Sequence, residues 1–162
     1  METNDVSIYE ALPLLREVLN VSGFFKLIGK SGSWFNNKEG MRQAYDTIPM
    51  GFTQDNIELI NYGLEKVVEA CHKHKLKLPS ECPDRDIYNK YVKTELRDLR
   101  KLVSLVYIRE NYTQIPVSSW NKKLINTPNR GTVAQFTSED IKHINQGIDK
   151  VAELLASMNI TL

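Results

Sequence analysis

Gly29-Lys30-Ser31 is the point in this chain where residue types and spacing first suggest phosphate chemistry. A phosphate-cradling loop needs a second glycine five positions earlier, because its backbone N–H groups must wrap the phosphates after a strand. Position 24 is Phe, Gly23 comes one residue too soon, and the preceding residues have helical spacing. The matching stretch further on, Tyr112 to Trp120, has no Gly-Lys-Ser. Cys71, His72, His74 and Cys82 cluster in sequence, but their spacing fits no standard zinc pattern. His72 and His74, two apart at a helix end, face different ways and suit the negative end of the helix dipole. His143 has no nucleophile beside it, and no Gly-rich cofactor loop is present. The sequence thus offers no catalytic residues, no metal ligands and no cofactor, and the expectation is a protein that is not an enzyme.

Composition narrows the class further. The chain has 162 residues, 41% hydrophobic and 25% charged, the balance of an ordinary globular protein. No run of about 18 apolar residues suggests a membrane span, and the acidic, polar start lacks the pattern of a signal peptide. The expected location is the cytoplasm, with no membrane partner. Two cysteines imply no disulfide framework. The net charge of +1 hides sorting by segment: Lys90–Arg130 holds nine Lys/Arg against three Asp/Glu, while Phe52–His72 and Phe136–Leu162 are acidic.

That sorting recurs because the sequence recurs. Phe52–Glu69 lies over Phe136–Glu153 without a gap, offset by 84, with nine of eighteen positions identical. Upstream, Ser33–Lys38 lies over Ser118–Lys123 at an offset of 85. The pattern reads as a tandem duplication, with units at 1–74 and 91–162 and a proline-containing connector at 75–90. In each unit Phe-Thr opens a helix, with Thr53 and Thr137 as N-caps and Ile57 and Ile141 placed to staple back to the Phe. Ile57, Ile60, Leu64, Val67 and Cys71, and then Ile141, Ile144, Ile148, Val151 and Leu155, follow helical spacing. Gly63 and Gly147 inside these helices predict close helix packing. A first helix is expected from Ser7, with Glu10 completing a capping box; its counterpart carries Leu96, Leu99, Val103 and Val106 in register. No segment alternates with period two. The fold expected is all-α, two tandem helical repeats each containing a helix-turn-helix.

In that motif a short helix, a tight turn that often holds Gly, and a second helix follow one another. Phe24, Phe25 and Ile28 give the first helix its apolar face, Gly29 takes the turn, and Phe35 anchors the second helix. In the second unit Val103, Val106 and Tyr107 stand for the first helix, Thr113–Pro116 for the turn, and Trp120 and Leu124 for the anchors. The outer face of the second helices then carries Ser33, Asn36, Asn37 and Lys38, and Ser118, Asn121, Lys122 and Lys123. Such side chains reach base edges and phosphates, and Lys30, Arg42, Lys101, Arg109 and Arg130 add backbone neutralisation. Trp34 is expected to be partly buried. Tyr45, Tyr62, Tyr88 and Tyr91 suit either an interface or a core.

The run Gly29–Lys38, a polar loop, and then Phe-Thr opening an amphipathic helix resembles small helix-turn-helix proteins of Bacteroidetes and their phages, shorter than Cro and phage-repressor domains. The resemblance implies DNA binding by Ser33, Asn36, Asn37 and Lys38, and by Ser118, Asn121, Lys122 and Lys123, although the second unit departs from the pattern at its turn. The expectation is a monomer or homodimer that binds double-stranded DNA, with two half-sites about one helical turn apart. Its expected role is transcription regulation in a phage or mobile element. The alternative is a protein-interaction module, a phage-encoded inhibitor or an assembly subunit.

Overall fold

In the computed structural model, residues 3–44, 51–126, 128–129 and 132–162 are described. The chain runs β1 (Asn4–Ser7), α1 (Ile8–Val18), α2 (Val21–Leu27), α3 (Gly32–Ala44) and α4 (Gln54–Lys73). A single 3-10 turn (Pro79–Glu81) leads to α5 (Arg85–Leu99), α6 (Leu105–Tyr112) and α7 (Val117–Ile125). A two-residue hairpin, β2 (Pro128–Asn129) and β3 (Thr132–Val133), precedes α8 (Ser138–Ala156) and β4 (Met158–Thr161). The fold is all-α apart from these short pairings, and among the described residues no helix is long and apolar enough to cross a membrane.

The two long helices α4 and α8 pack against each other and form the centre of the molecule. Their apolar stripes, Ile57 to Cys71 and Ile141 to Leu155, are buried along their length. Thr53 accepts a hydrogen bond from the Asn56 N–H, and Thr137 from the Asp140 N–H; each N3 side chain accepts one in return. Both helices therefore start with a reciprocal capping box. Phe52 and Phe136, just ahead of the caps, are buried. Burial of Cys71 pushes its thiol up to about 12, which keeps it a neutral core residue.

The glycines are explained by what packs on them. A Cβ on Gly63 would lie 2.5 Å from Ile28 and 2.8 Å from Phe24, and one on Gly147 would lie 2.8 Å from Ile108 and 3.0 Å from Tyr112. Phe24 and Ile108, and Ile28 and Tyr112, are again 84 apart. So α2 rests on α4 as α6 rests on α8.

The halves meet at a local two-fold. Leu19 and Val103 form an antiparallel bridge, flanked by hydrogen bonds from the Asn20 N–H to the Leu102 carbonyl at 3.0 Å and from the Ser104 N–H to the Val18 carbonyl at 2.8 Å. Leu19 and Val103 are 84 apart, as are Asn20 and Ser104, and Val18 and Leu102, so the two hydrogen bonds are equivalent under that offset. Asn61 and Asn145 repeat the relation further out. Asn145 Oδ1 accepts from the Leu76 N–H at 2.8 Å and its Nδ2 donates to the Leu76 carbonyl at 2.7 Å. Asn61 holds Ile160 in the same way at 2.9 Å on both sides. Each long helix thus pins the buried residue that follows the other long helix. One hydrophobic cluster, with members from Ile8 to Ile160, runs through both halves.

Several sequence expectations need correction. Ser7 stands at the N-cap of α1, but its side chain makes no capping hydrogen bond. The Ser7–Glu10 capping box is therefore not formed, because Ser7 is the last residue of β1, paired in parallel with Thr161 of β4. These strands escape period-two reading because each has only four residues. The expected helix through Val106 breaks at Leu99, and Val103 serves the two-fold bridge instead. α5 already begins at Arg85, inside the segment read as connector. There Tyr88 is buried, with its hydroxyl donating to the Lys77 carbonyl, and the Tyr91 hydroxyl accepts from the Lys77 N–H. Tyr62 is exposed beneath Lys66, and Tyr45 lies outside the described residues.

Candidate nucleic-acid interface

The first helix pair has the expected form. Asn20 caps α2 by accepting from the Gly23 N–H at 3.2 Å. The helix ends where Gly29 takes φ 71°, a left-handed value that suits glycine. There the Gly29 N–H donates to the Lys26 carbonyl at 3.1 Å and the Lys30 N–H to the Phe25 carbonyl at 2.7 Å, which closes a Schellman motif. Four residues, Ile28 to Ser31, separate α2 from α3. Phe35 is buried with its ring 4.7 Å from Phe25 and 5.5 Å from Phe52. Trp34, half-buried, meets Phe25 and Phe52 edge-on. These contacts fix α3 and turn Ser33, Asn36 and Asn37 to solvent, with Lys38 half-buried. Asn36 Oδ1 accepts from Arg16 at 3.2 Å, and that guanidinium lies 5.3 Å over Phe35.

The second pair keeps the spacing and changes the chemistry. Thr113–Pro116 is the turn between α6 and α7, as read from the sequence. The apolar anchors of α6 are Leu105 and Ile108, whereas Val106 is exposed and Tyr107 half-buried, because Ser104 rather than Val103 starts the helix. Trp120 is buried against Phe136, with ring centroids 5.1 Å apart. Ser118, Asn121 and Lys122 are exposed. Lys123 is not on the open face: it pairs with Asp140 and lies over Phe136. Burial pushes the Asp140 carboxyl up, but Lys123 and the Thr137 backbone N–H outweigh it and hold the group below its usual value. Arg109 is likewise committed, to Glu110 at 2.7 Å. Arg130 and the side chain of Arg42 lie outside the described residues.

An open groove of about 1040 Å³ lies between the α2–α3 turn, the end of α4 and the α5–α6 junction. Lys26, Lys30, Lys73 and Lys101 line it, with Asn20, Ser22 and Ser31 between them. Asp98 is the single acid in the wall, 2.9 Å from Lys101, and that ammonium holds its carboxyl below the usual value. Lys30 lies 5.5 Å over the Trp34 ring. His74 also lines the groove and is bonded to Glu95 at 2.6 Å. Gly23 permits the junction, since a Cβ there would sit 1.5 Å from the Lys101 carbonyl oxygen.

Lys30 and Lys101 were legible as cations of interest. Lys26 and Lys73 were not, because they sit on two helices that only the folded chain brings together. Among the described residues no three His, Cys, Asp or Glu side chains converge as metal ligands. Cys71 is buried and Cys82 half-exposed, both as free thiols. His143 faces Glu139 at 3.4 Å. No family model, curated protein or solved structure matches this chain.

Proposed function

We propose that this chain is a non-catalytic, double-stranded DNA-binding protein that works by helix-turn-helix. α3 enters the major groove with Ser33, Asn36 and Asn37 toward the base edges, and the lysines beside the α2–α3 turn neutralise phosphates. The observation that carries this reading is the junction of a Gly-turned helix pair with a four-lysine groove at the start of its second helix. Transcription regulation in a phage or mobile element is the role that the resemblance of Gly29–Lys38 implies.

The test is binding to a mixed-sequence duplex across salt. Four phosphate contacts predict a fall in affinity of about 100-fold between about 50 and 200 mM salt, from a slope of about −0.9 per contact. Absence of binding at the lower salt contradicts the proposal. A second reading, a protein-interaction module, has one observation in its favour. Val106 and Val117, 57% and 58% exposed, border the same pocket of about 280 Å³ beside Trp120.

A further inference from the structure

The local two-fold lets each residue of the lysine groove be compared with its counterpart in the other half. The correspondence is anchored by Leu19 with Val103, Asn20 with Ser104, Phe24 with Ile108 and Gly63 with Gly147. At the same offset of 84, Lys26 corresponds to Glu110, Lys30 to Gln114, Lys73 to Ser157 and Lys101 to Glu17. Glu17 and Glu110 are exposed. Burial and Tyr112 raise the Tyr107 hydroxyl and Glu17 adds to the rise, so Glu17 lies on the α6 side, while the Lys101 carbonyl lies against Gly23 of α2. Arg109 on that side is taken by Glu110 and by the Ile115 carbonyl at 3.5 Å. Four positive positions on one side of the two-fold, three from the first half and Lys101 from the second, therefore correspond to two negative and two neutral ones on the other side.

We infer that duplex DNA is held on one side of the molecule only, with its phosphodiester backbone along Lys26, Lys30, Lys73 and Lys101, and that the second half is a scaffold. The inference rests on the DNA reading above and replaces the expectation of two half-sites with one. A phosphate track laid on Glu17 and Glu110 would be repelled, and like charges brought together at an interface cost binding several-fold or more. The second half still has a task. Lys101 comes from it, and its Leu102 carbonyl holds the start of α2. The groove is thus completed by the half that does not read DNA.

The experiment compares salt slopes for duplex binding by the whole chain and three double variants. They are Lys26→Gln with Lys30→Gln, Lys73→Gln with Lys101→Gln, and Ser118→Ala with Lys122→Gln on α7. All six positions are at the surface, and an unchanged thermal midpoint checks that each variant folds. Each groove pair is expected to flatten the slope by about 2, at about 0.9 per lost contact, and the α7 pair to leave it unchanged. Flattening by about 1 from the single lysine of the α7 pair, or none by the groove pairs, overturns the one-sided site while the DNA reading stands. A wild-type chain that binds no duplex at the lowest salt overturns both.

Discussion

Asp140 has two tasks, closing the cap of α8 and neutralising Lys123, and the second removes a cation from the face that was expected to touch DNA. Its carboxyl is held below the ordinary carboxylate value. A lowered folded value stabilises the native state above the unfolded carboxylate value of about 3.9, and that contribution is lost as pH falls through the lower folded value. Asp140→Asn keeps an acceptor for the Thr137 N–H but loses the charge. It is therefore expected to be less stable than wild type at pH 7, with the gap closing in acid, below that lowered carboxyl value. Urea unfolding at pH 7 and in acid checks this; a gap that persists in acid contradicts the role assigned to the pair. The residue types alone suggested that Lys122 and Lys123 act together. They do not, because neighbouring helix positions point about 100° apart and only one of them reaches Asp140.

Elements with a local signal were legible, and those held by distant partners were not. The caps at Thr53 and Thr137, the buried stripes, Gly29 and the Thr113–Pro116 turn depend on residues a few positions apart. β1 and β4 come from opposite ends of the described chain, and the break at Leu99 exists because Val103 is needed at the two-fold bridge. Asn61 and Asn145 carried a signal that went unread: identity in both copies at a position inside a buried stripe, where an amide needs a partner. Their clamps predict a cost. Asn145→Ala leaves both the N–H and the carbonyl of buried Leu76 without partners, at about 1–3 kcal/mol for an unsatisfied buried group. Denaturant unfolding measures it; a loss below about 0.5 kcal/mol, the low end for a net hydrogen bond, contradicts the clamp's role.

Across the whole molecule, near-neutral net charge conceals two opposite surfaces on a nearly symmetric frame. The charge runs in the sequence pointed to Lys90–Arg130 as the basic segment, yet four of those cations pair with acids of the chain, Arg97 and Lys101 with Asp98, Arg109 with Glu110 and Lys123 with Asp140. The groove takes Lys101 from that segment and draws its other lysines from α2, the α2–α3 turn and α4. Such a site is invisible to segment counting because it exists only where four elements meet. The halves share one core, and Lys101 is held against α2 by the junction at Asn20, Gly23 and Leu102. The most direct test is to follow backbone amide shifts of the labelled protein as a short duplex is added. One-sided DNA binding predicts changes at Lys26, Lys30, Ser33, Asn36, Asn37, Lys73 and Lys101, with Glu17, Glu110 and Ser118 unmoved. Changes centred on α7, or none at all, would contradict it.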